Sequence, residues 1–312
     1  MKPAGDSAPR PSNRPAPPAR RTILLAGGAL AVAAALVAGV VLRGLGDSGE
    51  PARCAEGLVA MGARCCGAGQ RMESGRCIGV PSGCGARHEV SPGGCVPRAG
   101  GERRDIAGGH LVLGPGDWEA LGVVTRYEAD VAAFQLDAFE VTEARWEACL
   151  RAHACSQDVP LSGEPGRPVA SVTFDEAEGF CRFAGGRLPS RDELVLAISR
   201  GGRRYPWGDT GAVCRRAAWG LASGPCASGG SGPDTAGAHP DGASPDGVED
   251  LAGNVAEWAR APAGDAAQGV QLALGGAWND TEAAALRGWN RRALRHDARD
   301  PAVGFRCLYP RE

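Results

Sequence analysis

Val248-Glu-Asp-Leu-Ala-Gly-Asn-Val-Ala-Glu-Trp258 lies within an ordered series of short motifs that together indicate one fold. Two motifs follow it, Gly275-Gly-Ala-Trp278 and Gly304-Phe-Arg-Cys307. The motifs that precede it are, in order, Leu111-Val-Leu-Gly-Pro-Gly116, Phe139-Glu-Val-Thr142, Pro168-Val-Ala-Ser-Val-Thr-Phe-Asp-Glu-Ala177, Phe180-Cys-Arg-Phe-Ala-Gly-Gly-Arg-Leu-Pro-Ser190 and Arg200-Gly-Gly-Arg-Arg-Tyr-Pro-Trp-Gly-Asp209. Any one of them is weak evidence, whereas the whole series in this order is specific.

Taken together, these motifs resemble the formylglycine-generating enzyme (sulfatase-modifying factor) family. The resemblance implies an α+β domain over residues 106–311 with a variant of the C-type lectin fold. Glycine, proline and aspartate dominate residues 205–253, which predicts long ordered loops there.

Three helices are predicted from the residues themselves. The first covers roughly Thr142 to Arg151. The second begins after Thr173, which forms a capping box with Glu176, and the third after Ser190, with Glu193 three residues later. The apolar residues of these segments recur at helical spacing, so we expect the helices to pack against a core.

The N-terminal part of the chain predicts a membrane anchor. Residues 1–21 are rich in Pro, Ala and Arg and read as a disordered cytoplasmic tail. The uncharged apolar run 22–42 is long enough to cross a bilayer as a helix, and the arginines before it place the rest of the chain outside the cytoplasm. A cleaved signal peptide is the alternative. A polar linker, 43–53, follows.

The charge and the cysteine content limit the possible partners and the compartment of the protein. The formal net charge of -2 argues against a nucleic-acid partner. All 12 cysteines follow the apolar run and none shows Cys-x-x-Cys spacing, which favours disulfides in a periplasmic or extracellular compartment.

Residues 54–95 form a separate Cys-rich module of three Cys-x10-Cys units. We predict one disulfide within each unit, although six cysteines allow 15 connectivities. The module is either a small recognition element or a stalk that holds the larger domain away from the membrane.

The family resemblance also implies the pairing of Cys181 with Cys307. The remaining cysteines of the domain then form two local pairs, Cys149 with Cys155 and Cys214 with Cys226. No thiol is left to act as a nucleophile.

The same resemblance puts the family's catalysis in doubt. Family enzymes oxidise a client cysteine with oxygen and a copper ion held by two thiolates, and thiolates suit cuprous copper. The matching positions in this chain are Ala277 for the family's serine, and Asp280 and Ala285 for its two cysteines. No catalytic residue is therefore assigned, and copper is not expected.

A calcium site is implied at Asn254, Val255 and Glu257, which keep the family's ligand pattern of hard oxygen donors. The alternative is that Asn254 and Glu257 only hydrogen-bond the loop backbone. A second family calcium site is doubtful, because Ala218 stands nearest to its asparagine position.

Four arginines are candidate binding residues for an acidic ligand or peptide, with a structural role as the alternative; they are Arg287, Arg291, Arg292 and Arg295.

Three functions remain open at this point. The first is a non-catalytic, calcium-stabilised scaffold or binding module for a protein or peptide, anchored in the inner membrane. The second is an oxidoreductase with a replacement metal set, for which Asp280, Glu282 and His296 are the nearby candidates. The third is a calcium-dependent carbohydrate-binding module, suggested by the tripeptide Trp278-Asn-Asp280.

Overall fold

The computed structural model describes residues 51–54, 56–91, 94–98, 101–114 and 126–311. The predicted tail 1–21, the predicted membrane segment 22–42 and most of the linker 43–53 lie outside the described residues. Within the described ranges, no helix has both the length and the apolar character that a membrane span requires. The chain from Gly49 to Glu312 forms one compact unit, so the Cys-rich module and the larger domain are described together.

Within the described ranges, the α-helices belong to the larger domain. In chain order they are α1 (Glu143–Arg151), α2 (Phe174–Phe183), α3 (Arg191–Ser199) and the short α4 (Ala263–Ala266). The first three confirm the sequence prediction. In α2 the capping box is complete: the backbone N–H of Glu176 donates to Thr173, and the backbone N–H of Thr173 donates to the Glu176 carboxylate.

Short strands make up most of the remaining regular structure in the described part of the chain. They are β1 (Leu58–Met61), β2 (Arg64–Gly67), β3 (Arg71–Glu73), β4 (Arg76–Ile78), β5 (His88–Ser91), β6 (Gly94–Pro97), β7 (Arg103–Ile106), β8 (Gly109–Leu113), β9 (Tyr127–Val131), β10 (Phe134–Asp137), β11 (Ala256–Ala259), β12 (Val270–Leu274), β13 (Arg291–Arg295), β14 (Val303–Gly304) and β15 (Leu308–Tyr309). The mixture of helices and strands confirms the predicted α+β class.

Two sheets organise the larger domain. One has three strands in the order β15-β10-β7, and the other has four in the order β13-β12-β11-β14. In the second sheet β14 runs parallel to β11, and the other pairs are antiparallel. Strand β11 is buried along its whole length, which places Glu257 in the interior.

The core between the helices and sheets is strongly aromatic. Trp146 stacks on Phe180 with ring centroids 5.6 Å apart, and Phe305 meets both rings edge to face. Trp258 is fully buried, and its indole N–H donates to the Val172 carbonyl over 2.8 Å. The indole of Trp258, which closes the central motif, is thereby fixed against the segment that leads into α2.

The long loops predicted for residues 205–253 are present. This stretch contains no α-helix and no multi-residue strand, only a 3-10 turn at Pro240–Gly242. Gly253 is needed at its end, because its φ is +86° and a side chain there would lie 2.6 Å from the Ala218 carbonyl oxygen.

All 12 cysteines of the chain lie in six disulfides, as predicted. The three bridges of the module join cysteines within each Cys-x10-Cys unit. The larger domain contains Cys149–Cys155, Cys181–Cys307 and Cys214–Cys226. The Cys181–Cys307 bridge joins α2 to the segment before β15.

The module is built of three hairpins, β1–β2, β3–β4 and β5–β6, and it packs on the larger domain. Arg87 donates to Glu249 over 2.6 Å, and the backbone N–H of Arg53 donates to Asp241 over 3.1 Å. Arg64 forms an ion pair with Asp234. Contacts at three places therefore hold the module against the loops of the domain.

Candidate functional site

The segment after β12 is where the motif resemblance places the family's catalytic region. Gly275 and Gly276 have φ values of +94° and +70°, which glycine adopts without strain. A side chain at Gly276 would lie 2.8 Å from the Ala285 carbonyl oxygen. The glycine pair therefore lets the backbone of residues 277–285 fold back closely on itself. We refer to residues 277–285 as the 277–285 loop.

Asp280 has a structural role in this loop. Its carboxylate accepts a hydrogen bond from the Ala277 backbone N–H over 2.7 Å, and its own N–H donates to the Ala277 carbonyl. Ala285 lies in a 3-10 turn, Ala283–Leu286. Neither position can supply a thiolate, and every cysteine of the chain is already in a disulfide.

Trp278 connects this loop to two others. Its backbone N–H donates to the Asn254 carbonyl over 2.8 Å, and its carbonyl accepts from the Leu221 N–H over 2.9 Å. The indole N–H donates to the Pro301 carbonyl over 3.4 Å. Hydrogen bonds from Trp278 therefore hold the Trp278-Asn-Asp280 tripeptide against the neighbouring loops.

The residues considered for a replacement metal set are not brought together. His296 lies beyond β13 and its ring is 2.7 Å from the Asp175 carboxylate. Its backbone N–H donates to Gly269, at the start of β12, whereas Asp280 follows the end of that strand. The five residues of β12 span about 13 Å, which separates the two positions. Among the described residues no group of three or more His, Cys, Asp and Glu side chains has a metal-binding arrangement.

The centre of the motif Gly253-Asn-Val-Ala-Glu-Trp258 is a buried ion pair. Both carboxylate oxygens of Glu257 accept from Arg306, over 2.6 and 2.7 Å. Arg306 is fully buried and also donates to the carbonyls of Asp137 and Glu249. Burial disfavours its charge, but the attraction of Glu257, Glu140 and Asp250 together outweighs that cost and raises the pKa of Arg306. Arg306 thus ties together β11 and the segments around residues 137 and 249.

Asn254 belongs to the same buried network. Its amide nitrogen donates to Glu140 over 2.7 Å, and its amide oxygen accepts from the Asp234 backbone N–H over 2.7 Å. Glu140 also accepts from the Val255 N–H over 3.1 Å. Burial raises the pKa of Glu140 well above its usual range, and the nearby Asp250 and Glu257 raise it further.

These contacts bear on the calcium prediction. A calcium ion takes six to eight oxygen ligands. The side-chain oxygens of Asn254 and Glu257 already accept hydrogen bonds, and Arg306 places a permanent positive charge on Glu257. As arranged, Asn254, Val255 and Glu257 do not fit a calcium ion. Their partners include the Glu140 and Arg306 side chains, so the alternative of hydrogen bonds to the loop backbone alone describes them only in part, and the calcium site stays a prediction.

Calcium is therefore expected to have little effect on stability. We expect the Tm of the calcium-free chain to shift by less than about 1 °C when millimolar calcium is added. About 1 kcal/mol of binding would raise it by roughly 2–4 °C in a domain of this size. Differential scanning fluorimetry with calcium, magnesium and a chelator measures this. A larger rise with calcium than with magnesium would support the prediction from the family resemblance and require the network to rearrange.

The four candidate arginines do not form one surface. Arg287 is buried and donates to the Tyr205 hydroxyl over 3.0 Å. Arg292 pairs with Asp300, and Arg295 pairs with Asp297. Arg291 and Arg295 are exposed on the same face of β13. A binding role for these arginines remains a prediction, but the structure gives Arg287 and Arg292 structural partners.

Several residues of this region were not singled out by the sequence. Arg306 and Glu140 stand inside the quoted motifs, yet no spacing links them to Glu257 or Asn254, because the partners come together only in the fold. The position of each residue inside one of the quoted motifs was the available signal.

Comparison with known proteins agrees with this architecture. The model of the sulfatase-modifying factor enzyme 1-like domain matches residues 99–310. "Inactive C-alpha-formylglycine-generating enzyme 2" of Bos taurus is 31% identical over 153 residues, which cover 45% of this chain and 49% of that protein. "Formylglycine-generating enzyme" of Streptomyces coelicolor is 34% identical over 102 residues, covering 32% of this chain and 28% of that protein. The chain thus spans about half or less of the length of these relatives.

Two solved structures share the fold. PvdO from Pseudomonas aeruginosa superposes with a TM-score of 0.54 at 18% identity, covering 68% of this chain and 95% of that one. Treponema denticola variable protein 1 gives a TM-score of 0.52 at 19% identity, covering 67% and 95%. At these identities the likeness establishes the fold alone.

Proposed function

The chain belongs to the sulfatase-modifying factor enzyme 1-like family, and from that premise we propose that it is a non-catalytic member that binds a protein or peptide. Both active and inactive proteins occur among its relatives, since one is named a formylglycine-generating enzyme and another an inactive one. Family membership alone therefore does not settle whether this chain is an enzyme.

The absence of catalysis is proposed from the composition of the 277–285 loop. The family's reaction requires two thiolates to hold copper, and the matching positions are Asp280 and Ala285. Asp280 is bonded to the Ala277 backbone, and Ala285 offers only a methyl group. Backbone hydrogen bonds from Trp278 to Asn254 and Leu221 hold this loop in place, which supports a groove that binds an extended peptide without the oxidation chemistry.

The proposal includes display outside the inner membrane on the apolar run 22–42. Six disulfides support an oxidising compartment, since such bridges are rare in the cytoplasm. The excess of arginine before the run supports a cytoplasmic N terminus. Protease added to intact spheroplasts should digest the larger domain and spare an N-terminal tag; the reverse pattern would overturn this orientation.

A peptide oxidation assay tests the absence of catalysis. The full chain is incubated aerobically with copper and a peptide that contains Cys-x-Pro-x-Arg, the family's client sequence, and the peptide is analysed by mass spectrometry. We expect no conversion of cysteine to formylglycine above a no-protein control, while an active family member converts the same peptide. Conversion by this chain would refute the proposal.

The binding part of the proposal needs a separate measurement. Fluorescence anisotropy of the same peptide, labelled at its N terminus, reports retention without turnover. A peptide with the arginine replaced by alanine serves as the matched control. Saturable binding of the first peptide and weaker binding of the second are expected; binding of neither peptide would contradict a retained client groove.

A further inference from the structure

A cavity of about 270 Å³ lies at the junction between the Cys-rich module and the larger domain. The module contributes one wall, which includes Arg64, Arg76 and His88. Glu164, Arg167 and a loop from Ser228 to Ala238 contribute the other. We call this space the junction cavity. No residue of the 277–285 loop lines it, so it is separate from the site discussed above.

Positive charge is in excess around the junction cavity. Arg64, Arg76 and Arg167 face two acidic residues, Glu164 and Asp234. Arg64 pairs with Asp234, and Arg167 pairs with Glu164 over 2.9 Å. Among the described residues Arg76 reaches only Glu164, which it shares with Arg167, and at a longer distance of 4.0 Å. Among the residues that line the cavity, three guanidinium groups therefore face two carboxylates; Glu143, outside the lining, also attracts Arg167.

Burial and the repulsion from neighbouring arginines lower the pKa values of Arg64 and Arg167. Burial, together with the charges of Arg76 and Arg167, lowers the pKa of Arg64 to about 10. His88 is also buried in this wall, and burial lowers its pKa to about 4, so it is neutral at pH 7. An anion between the arginines would relieve this repulsion.

Arg64 and Arg76 can also donate further hydrogen bonds. Arg64 Nε is buried and has no hydrogen-bond acceptor among the described residues. Arg76 is 43% exposed and makes no short hydrogen bond from its side chain within the described part of the chain. A carboxylate can accept two parallel hydrogen bonds from one guanidinium, which makes arginine well suited to bind such a group.

Apolar side chains complete the walls of the junction cavity. They are Leu58, Ile78, Leu221, Pro233, Ala236 and Ala238. Pockets for drug-sized molecules begin at roughly 300 Å³. The junction cavity is slightly smaller, which suits a ligand of amino-acid size with one anionic end and an apolar body.

From these observations we propose that the junction cavity binds a small carboxylate with an apolar side chain, through Arg76 and Arg167. Arg64, held by Asp234, adds charge but keeps its structural pairing. The carboxylate can belong to a free acid or to the C-terminal residue of a peptide. The proposal does not depend on the absence of catalysis, because it uses none of the residues of the 277–285 loop.

Isothermal titration calorimetry on the full chain tests the proposal with N-acetyl-leucine as the probe. N-acetyl-leucinamide has the same shape without the charge, and it should bind at least about tenfold more weakly, the effect of losing one charge-assisted hydrogen bond. Arg76→Gln should weaken the binding of N-acetyl-leucine by a similar factor. Arg71→Gln, an exposed arginine of the same module outside the cavity, should not change it.

Further probes distinguish the source of the carboxylate. A short peptide ending in leucine that binds more tightly than N-acetyl-leucine would identify a peptide C terminus; equal affinity would identify a free acid. Either result supports the proposal. It is overturned if the amide binds as well as the acid, if Arg76→Gln leaves the affinity unchanged, if inorganic phosphate binds while N-acetyl-leucine does not, or if no probe binds at millimolar concentration.

Discussion

Replacing Arg306 by methionine should lower the free energy of unfolding by about 3–5 kcal/mol, the loss typical when one partner of a buried ion pair is removed. Arg306 is fully buried, and its guanidinium satisfies both oxygens of Glu257. Methionine fills much of the same volume but leaves Glu257 and two carbonyl groups without their donor. A domain with a total stability of roughly 5–15 kcal/mol would become marginal. Urea unfolding with intact disulfides, followed by tryptophan fluorescence, measures the change.

Two further variants show whether the loss comes from the buried charge. Arg295→Met removes an arginine that pairs with Asp297 at the surface, and it should leave the free energy of unfolding unchanged within error. The double variant Arg306→Met/Glu257→Leu should be more stable than Arg306→Met alone, because no buried carboxylate is then unpaired. Equal stability of the single and double variants would contradict this explanation and point to the lost carbonyl contacts.

Local sequence signals predicted the helices well. The capping boxes at Thr173 and Ser190 depend on residues only three positions apart, so the sequence contains the whole interaction. The Cys-x10-Cys units are similar, because each bridge joins cysteines that are only 11 positions apart in the sequence. These features need no knowledge of the tertiary structure.

The role of Glu257 could not be predicted in the same way. The motif shows that a carboxylate is present, but a carboxylate can equally face a metal ion or an arginine. Its partner, Arg306, is 49 residues away and reaches it because β14 pairs with β11. Arg287 illustrates the same limit, since its burial against Tyr205 depends on loops that are 82 residues apart in sequence.

The sequence also did not predict the junction cavity. The module was predicted as either a recognition element or a stalk, and neither reading indicated which face of the larger domain it touches. Arg64 and Asp234 lie far apart in the chain, yet they pair across the junction. The sequence showed a module with its own cross-links, whereas its contribution to a ligand site depends on how it packs.

Removing the Cys181–Cys307 disulfide is the second change with a large expected effect. The bridge spans 126 residues, and the chain-entropy relation gives a loss of about 5 kcal/mol for Cys181→Ala/Cys307→Ala. Both sulfur atoms belong to fully buried residues of the aromatic core, so packing losses add to the entropic effect. We expect this variant to be largely unfolded at 37 °C, as judged by near-ultraviolet circular dichroism and urea unfolding.

The Cys149–Cys155 bridge provides the matched control, because it spans only six residues at the end of α1. The same relation gives a loss of about 2.4 kcal/mol for Cys149→Ala/Cys155→Ala, roughly half that of the long bridge. Cys149 is as deeply buried as Cys181, but Cys155 is only partly buried whereas Cys307 is fully buried, so packing adds to the difference that loop length produces. If the two variants lose equal stability, the long bridge stabilises the domain through its local packing, and the constraint that it places on the unfolded chain contributes little.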